Sequence, residues 1–174
     1  MYRVLMPIDD EGKRALAQAQ AVAALPAAAE GVEVTLLYVF EDEARATESS
    51  IRELSSARRA IEYLTEEGGI GSIETEKRWG NVPEVILEVA HKRDVDAIVL
   101  GGRKRSSLGS LLLGSVSRDV VLNADRPVMV TGDRLREERK RERHGEPSQE
   151  ERVRGDERKD RSGRPRPTDY DVAG

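Results

Sequence analysis

The sequence predicts an α/β fold in which a five-stranded parallel sheet carries helices on both faces. Two observations predict it. Short apolar segments alternate with longer amphipathic segments from residue 2 to residue 131, which is typical of strands that are joined by helices. The apolar segments are also rich in Val, Ile and Leu, as strands are when both faces of their sheet are covered.

The first strand and the first helix are expected within residues 4–29. Residues 4–8 form a short apolar run that ends at Asp9-Asp10, which predicts a buried strand. Residues 12–29 are rich in Ala, with apolar positions at helical spacing, so we expect one helix over this whole stretch. Pro26 is expected to mark its last turns, and Gly31 to stop it.

A second strand, a long helix and a third strand follow. Residues 32–40 are β-branched and aromatic, which favours a strand. Residues 72–79 alternate between apolar and charged side chains, which predicts a half-exposed edge strand, with Trp79 packed at its end. Between them, apolar residues at helical spacing predict a single long amphipathic helix that ends at Gly68-Gly69; its apolar face is Ile51, Leu54, Ala57, Ile61 and Leu64.

The last third of the domain repeats the alternation. Asn81 and Pro83 predict the start of a helix, as an N-cap and a first-turn proline. Residues 96–101 form an apolar run typical of a buried fourth strand. A loop over residues 101–114, a helix over 115–122 and a fifth strand over 127–131 complete the pattern. The apolar face of the helix after Asn81 is Val85, Ile86, Val89 and Ala90.

Charge divides the chain of 174 residues into two parts. Residues 133–174 contain 13 basic and 12 acidic side chains, and residues 1–132 contain the other 16 basic and 21 acidic ones. A segment with so few apolar residues cannot offset its own ordering entropy. We therefore expect a globular domain over residues 1–132 and a charged, disordered tail over residues 133–174.

Composition also excludes several kinds of site. The chain has no Cys and only two His residues, which excludes disulfides, thiolate nucleophiles and multi-histidine metal centres. No apolar run approaches the ~20 residues that span a bilayer, and the N-terminus lacks the pattern of a secretory signal. We expect a cytoplasmic protein.

The loop from residue 101 to residue 117 carries the clearest chemical signal. It follows a buried strand, contains glycines and enters a helix, an arrangement that favours an anion at the free backbone N–H groups. Ser115 and Ser117 add hydroxyl donors, and the triplet of residues 103–105 adds positive charge. Asp9 ends a neighbouring strand, and ligands of such sheets bind at the carboxyl ends of strands. We therefore expect a nucleotide that extends from Asp9 to Ser115.

Two tighter phosphate-binding motifs are absent. The chain has no G-x-x-x-x-G-K-[ST] sequence, so the loop is not of the Walker type. It also has no G-x-G-x-x-G after the first strand, which excludes the usual dinucleotide fingerprint.

Taken together, several segments resemble the universal stress protein family over residues 2–131. They are Val4-Leu5-Met6-Pro7-Ile8-Asp9, Leu36-Leu37-Tyr38-Val39, Gly80-Asn81-Val82-Pro83, Asp94 to Gly101, Leu113 to Ser117 and Asp125 to Val130. The nucleotide-binding branch of the family carries G-x2-G-x9-G-[ST], here from Gly101 to Gly114-Ser115. Lys104 stands where that pattern has its middle glycine.

The resemblance implies a strand order of 3-2-1-4-5, a bound ATP or other adenine nucleotide with or without Mg²⁺, and a homodimer through residues 127–131. It implies that Asp9 faces the ribose and that the backbone of Val39 meets the adenine. The residues that would line the phosphates are Gly101, Arg103, Gly114, Ser115, Val116 and Ser117, and the ammonium of Lys104 would neutralise a phosphate directly.

Plainer interpretations of the same residues remain open. Asp9 would serve equally to end a strand and cap the next helix. Gly101 and Gly114 would serve equally as turn glycines without any ligand. Three functions follow: a regulatory or stress-protective nucleotide-binding protein with at most weak ATP hydrolysis, an ATP-using enzyme of the nucleotide alpha hydrolase type, and a dimeric interaction protein that has lost its nucleotide because of Lys104. We favour the first, with no catalytic residue, no protein-held metal and no nucleic-acid partner.

Overall fold

The computed structural model describes residues 1–104 and 111–132. The chain divides into two compact units, Met1–Arg136 and Glu137–Gly174. The second unit, and with it the tail predicted over residues 133–174, lies outside the described residues. No helix within the described part of the chain is both long enough and apolar enough to cross a membrane.

The described residues form seven strands and six α-helices. The strands are β1 (Tyr2–Ile8), β2 (Val32–Phe40), β3 (Ser72–Trp79), β4 (Ala97–Gly101), β5 (Arg103–Lys104), β6 (Leu111–Leu112) and β7 (Val128–Thr131). The helices are α1 (Gly12–Ala23), α2 (Ala28–Gly31), α3 (Glu43–Glu48), α4 (Ser55–Glu62), α5 (Val82–Lys92) and α6 (Ser115–Asn123).

Five strands form one parallel sheet in the order β3-β2-β1-β4-β7, so the predicted order 3-2-1-4-5 is confirmed. The sheet is covered on both faces. Val4 and Met6 of β1 point into the core beside α1 and α4, whereas Leu5 points into the core beside α5 and α6. Burial on both faces explains why the inner strands are continuously apolar and do not alternate.

The predicted first helix is wrong at its C-terminal end. α1 ends at Ala23, and the chain re-enters a helix only at α2. Pro26 lies between the two helices; it has no N–H to donate and disfavours helical backbone at the residue before it. Ala27 then adopts a left-handed conformation, with φ of 51°, so the helix that Gly31 ends is the short α2.

The single long helix predicted before the third strand is also wrong. The chain forms α3, a 3-10 turn over Ile51–Glu53, α4 and a π-helical turn over Tyr63–Glu67. Ser49 and Ser50 interrupt it in extended conformation, as expected of residues whose side chains compete with helical hydrogen bonds. The predicted apolar face still faces the core: Ile51, Ala57 and Leu64 are buried, and Leu54 and Ile61 pack against them.

The third strand is an edge strand, as predicted, but its faces differ from the prediction. Trp79 is 48% exposed, so the prediction that it packs at the strand end is wrong. The most buried side chain of β3 is Glu76, which pairs with Arg93, the residue that follows α5, and with Arg78. The cap predicted for α5 is confirmed, because Asn81 Oδ1 accepts a hydrogen bond of 3.3 Å from the Glu84 N–H.

The stretch predicted as a loop over residues 101–114 contains regular structure at both ends. β5 and β6 pair antiparallel, with Arg103 opposite Leu112 and Lys104 opposite Leu111. Residues 105–110, between these strands, lie outside the described part.

Candidate functional site

A cavity of about 220 Å³ opens at the carboxyl ends of β1, β2 and β4. It lies at the point where the strand order reverses, since β1 is followed in sequence by β2 on one side and is paired with β4 on the other. Open α/β sheets bind ligands at this position. The cavity is lined by Pro7, Ile8, Asp9, Arg14, Gln18, Tyr38, Val39, Val82, Ile86, Leu100, Gly101, Gly114, Ser115, Val116 and Ser117.

Gln18 joins β1 and β4 beside this cavity. The two strands are in register only at Val4 with Ala97 and at Leu5 with Ile98. Beyond them Pro7 has no N–H to continue the ladder. The buried amide of Gln18 takes its place, because Nε2 donates to the carbonyl oxygens of Pro7, at 2.7 Å, and of Val99, at 2.8 Å.

Asp9 is held by Glu11 and Arg14 at the rim of the cavity. Its Oδ1 accepts the Glu11 N–H at 3.0 Å, its Oδ2 accepts from Arg14 Nε at 3.0 Å, and Arg14 Nη2 forms an ion pair with the same oxygen at 2.7 Å. The N-cap of α1 is Glu11, whose side chain accepts from the Lys13 N–H. Asp9 therefore does not cap the helix itself. Its carboxylate is about half exposed and retains acceptor capacity for a ligand hydroxyl.

Tyr38 places a hydroxyl at the same rim. It donates a hydrogen bond of 2.8 Å to Asp10 Oδ1. Partial burial raises the pKa of Tyr38 to about 12, and the hydrogen bond to Asp10 acts in the same direction. The hydroxyl is therefore neutral at physiological pH.

The N-terminus of α6 forms the opposite side of the cavity. Gly114 is its N-cap, and neither a side-chain cap nor an acidic first-turn residue occupies the free N–H groups. Gly114 has φ of −67°, which any residue adopts; what glycine provides is the absence of a side chain beside these groups. Ser117 lines the cavity, is only 7% exposed, and its hydroxyl makes no hydrogen bond to any described residue. The free N–H groups and this hydroxyl suit an anion.

The structure brings seven of the nine predicted site residues to this cavity: Asp9, Val39, Gly101, Gly114, Ser115, Val116 and Ser117. For the other two, Arg103 and Lys104, the backbone lies in β5 and the side chains are outside the described part. Contact of these nine residues with a nucleotide stays a prediction.

Sequence reasoning missed the wall that α1 contributes. Arg14 and Gln18 line the cavity one helical turn apart. A signal was available, since they are long polar residues at i and i+4 in a helix composed largely of Ala. Among the described residues, no three His, Cys, Asp or Glu side chains are grouped so as to hold a metal ion.

Comparison with known proteins gives concordant results. A family model described as the universal stress protein family matches residues 1–132. A universal stress protein of Methanocaldococcus jannaschii is 38% identical over 74 residues, which is 42% of this chain and 43% of that protein. The match thus spans less than half the length of this curated relative. The structure of a universal stress protein from Archaeoglobus fulgidus superimposes with a TM-score of 0.61 at 28% identity, covering 75% of this chain and 98% of the other.

Three further structures of similar fold contain adenine nucleotides. A universal stress protein from Archaeoglobus fulgidus in complex with dAMP has a TM-score of 0.54 at 22% identity, over 75% of this chain and 98% of its own. A family protein from Arabidopsis thaliana with AMP bound has 0.53 at 18%, over 79% and 95%. A universal stress protein in complex with cAMP has 0.55 at 20%, over 76% and 98%. At these identities the likeness shows the fold.

Proposed function

The chain belongs to the universal stress protein family, and from that membership we propose that it binds an adenine nucleotide in the cavity between β1 and β4, in a regulatory or stress-protective role. One observation carries the proposal: the hydroxyl of Ser117, which makes no hydrogen bond to any described residue, and the uncapped N-terminus of α6 line the same cavity as the carboxylate of Asp9. The AMP, dAMP and cAMP in proteins of the same fold support the choice of nucleotide.

Each wall of the cavity then has a role in binding. Asp9 accepts hydrogen bonds from the ribose hydroxyls, and the backbone of Val39 meets the adenine. The N–H groups that follow Gly114, with the hydroxyls of Ser115 and Ser117, hold the phosphate, because an uncapped helix N-terminus attracts anions. Gly101, Arg103 and Val116 border the phosphates, and Lys104 neutralises them.

Among ligands of this class we propose ATP or another adenine nucleotide. Since no group of metal ligands is present among the described residues, we assign Mg²⁺ no protein ligand; where Mg²⁺ takes part, it accompanies the phosphates.

We propose binding with at most weak ATP hydrolysis. Asp9, Arg14 and Tyr38 are the ionisable side chains among the described residues of the lining. The carboxylate of Asp9 is paired with Arg14, and the hydroxyl of Tyr38, with a pKa of about 12, stays protonated and cannot accept a proton at neutral pH. These side chains therefore provide groups for binding and no free general base.

The proposal includes a homodimer. β7 pairs with β4 on one side and with no described strand on the other, and Met129 at this edge is 39% exposed. An unpaired edge of apolar residues suits pairing with a second copy. We also propose that the globular domain ends at residue 132 and that the protein is cytoplasmic.

The test is to purify the protein, denature it, and identify any nucleotide that is released. Thermal unfolding with ATP, AMP and cAMP then measures binding. We expect Gly114→Asp to abolish the thermal shift, because Asp is a good N-cap that keeps α6 folded while its charge repels a phosphate. Gly71→Asp, an exposed loop position away from the cavity, is the matched control and should retain the shift.

A wild-type protein that releases no nucleotide and shows no shift with any of the three ligands would contradict the proposal and favour the interaction protein. Turnover of ATP faster than about a few per minute would favour an enzyme, because enzymes of ordinary efficiency work at about 1 s⁻¹ or faster.

A further inference from the structure

Arg14 is fixed in place at the floor of the cavity. Its side chain is only 17% exposed. A Cβ added to Gly101 would lie 3.2 Å from Arg14 Cβ and 3.1 Å from Arg14 Cδ, so the stem of the arginine rests on the backbone of this glycine. The arginine is thus held at both ends: its guanidinium pairs with Asp9, which follows β1, and its stem packs on Gly101, at the end of β4.

The guanidinium has donors to spare. Nε donates to Asp9 and Nη2 forms an ion pair with it, and Nη1 makes no hydrogen bond to any described residue. Since a guanidinium carries five N–H donors in a fixed plane, the Asp9 contact orients the group and leaves other donors for a second acceptor. An arginine already ordered by one carboxylate loses little further freedom when it binds an anion.

The negative charges at the rim of the cavity favour a cation at this position. Asp9 lines the cavity, Asp10 and Glu11 follow it directly in sequence, and all three are exposed. Tyr38 donates to Asp10 but carries no charge. Within the described part of the lining, Arg14 is the sole cationic side chain, so it offsets the repulsion that an entering phosphate would meet from these carboxylates.

We propose that Arg14 contacts the nucleotide directly and binds the phosphate next to the ribose, so that it is the residue by which the site distinguishes a nucleoside 5′-phosphate from the free nucleoside. The inference rests on the proposed function. Arg14 reaches the phosphate from the α1 side, and the N-terminus of α6 reaches it from the opposite side of the cavity. Asp9 then has two roles, because it orients Arg14 and accepts from the ribose.

A purely positioning role for Arg14 makes a different prediction. If the arginine only holds Asp9 in place, its loss disturbs the ribose contact, and that contact is common to adenosine and AMP. Direct contact with the phosphate affects AMP alone. The comparison of these two ligands therefore separates the two roles.

The experiment is isothermal titration of the full chain with AMP and with adenosine, for wild type, Arg14→Gln and Lys13→Gln. We expect Arg14→Gln to weaken AMP about 10- to 100-fold, the loss of a hydrogen bond to a charged group, and to change adenosine by less than about twofold. Lys13→Gln removes the same charge from the exposed face of the same helix turn and should leave both affinities within about twofold.

Arg14→Lys tests the same point in a variant that keeps the stem and the charge. It should preserve more of the preference for AMP over adenosine than Arg14→Gln does, and it decides the matter if Arg14→Gln fails to fold in a thermal unfolding scan. Equal weakening of AMP and adenosine, or no weakening of either, would overturn the proposal. A wild type that binds both ligands equally would overturn it while leaving the proposed function intact, whereas a wild type that binds neither removes the proposed function itself.

Discussion

The side-chain amide of Gln18 donates a hydrogen bond of 2.8 Å to the carbonyl oxygen of Val99, 81 residues further along the chain. The same nitrogen donates at 2.7 Å to Pro7. A helical side chain thus replaces the ladder hydrogen bond that a proline cannot make, at the place where β1 and β4 separate. The cleft that results is the one in which we place the nucleotide.

Gln18→Leu should destabilise the protein by about 2 kcal/mol. Leucine has a similar volume but no donor, so two carbonyl oxygens lose their partner, and a buried unpaired polar group costs about 1–3 kcal/mol. Denaturant unfolding measures the change, with Lys13→Gln on the exposed face of α1 as the control. A difference from wild type of less than about 0.5 kcal/mol, the size of an ordinary surface effect, would show that Gln18 does not join the strands.

Arg93→Met should destabilise the protein by about 2 kcal/mol as well. Arg93 pairs with Glu74 and with Glu76, which is only 6% exposed, and a hydrogen bond to a charged group is worth about 1.5–3 kcal/mol. Arg78 still pairs with Glu76 in the variant, which keeps the loss below that of a fully unpaired buried charge.

The neighbouring pair of Lys92 with Glu88 provides the control. Both side chains are exposed, and exposed pairs contribute about 0–1 kcal/mol. Lys92→Met should therefore change the unfolding free energy little. Similar losses of unfolding free energy for Arg93→Met and Lys92→Met would contradict a structural role for the pairs of Arg93 with Glu74 and Glu76.

The sheet could be predicted from the sequence because burial on two faces leaves a local signal. A run such as residues 4–8 is apolar throughout, as a strand is when both faces of its sheet are covered. The interruption of the long helix could not be predicted, because the spacing of three residues between Ile51 and Leu54 fits a 3-10 turn as well as an α-helix. Spacing alone does not show where Ser49 and Ser50 interrupt the backbone.

The candidate site, too, could be predicted from the sequence only in part. Asp9 and Gly114-Ser115 could be placed from the sequence because the fold rule names the ends of strands and the starts of helices. For Arg14 the sequence shows only a long polar residue in an Ala-rich helix, since its position at the cavity depends on packing against Gly101, 87 residues away in sequence. The burial of Glu76 likewise depends on Arg93, in another element, and a pattern of alternation within one strand contains no information about such a partner.

The stability of the protein should fall as the pH rises from about 10 to about 12, in part through Tyr38. Burial raises the pKa of Tyr38 from 10.0 to about 12, with the hydrogen bond to Asp10 adding to the rise. A group whose pKa is higher in the folded state favours folding fully below its unfolded pKa, and this contribution is lost as the pH passes through the folded pKa.

Tyr38→Phe keeps the ring that contacts Phe40, with centroids 4.6 Å apart, and removes the titrating hydroxyl. Its unfolding free energy, measured by urea titration at a series of pH values, should fall less steeply over this range than that of wild type. Tyrosinate absorbance of wild type minus variant should rise near pH 12. Identical pH profiles of unfolding would show that Tyr38 contributes nothing to this dependence.

Val130→Pro should convert a dimer into a monomer in light scattering. The carbonyl oxygen of Pro127 accepts from Ile98 of β4, and that of Thr131 from Gly102, which follows β4, so by alternation the N–H of Val130 points to the free edge of β7. Proline removes that donor and no bond to β4. Val130→Ala, which removes the same packing but keeps the N–H, should remain dimeric. A monomeric wild type, or a dimeric Val130→Pro, would contradict dimerisation through this edge.

Gly101→Ala should destabilise the protein by about 1 kcal/mol and weaken AMP binding. Gly101 is not among the described glycines of positive φ, which are Gly69 and Gly80, so backbone strain is not the reason. The reason is space: the new Cβ would lie 3.1 Å from Gln18 Oε1 and 3.2 Å from Arg14 Cβ. Since the Cβ of Arg14 cannot rotate away, α1 itself must shift, and such overpacking costs about 1–3 kcal/mol.

Gly71→Ala, with no atom within 4 Å of the added Cβ, is the control and should stay within about 0.5 kcal/mol of wild type. Equal stability of the two variants, measured by denaturant unfolding, would mean that α1 does not rest on Gly101, and the placement of Arg14 at the phosphate would lose its structural basis.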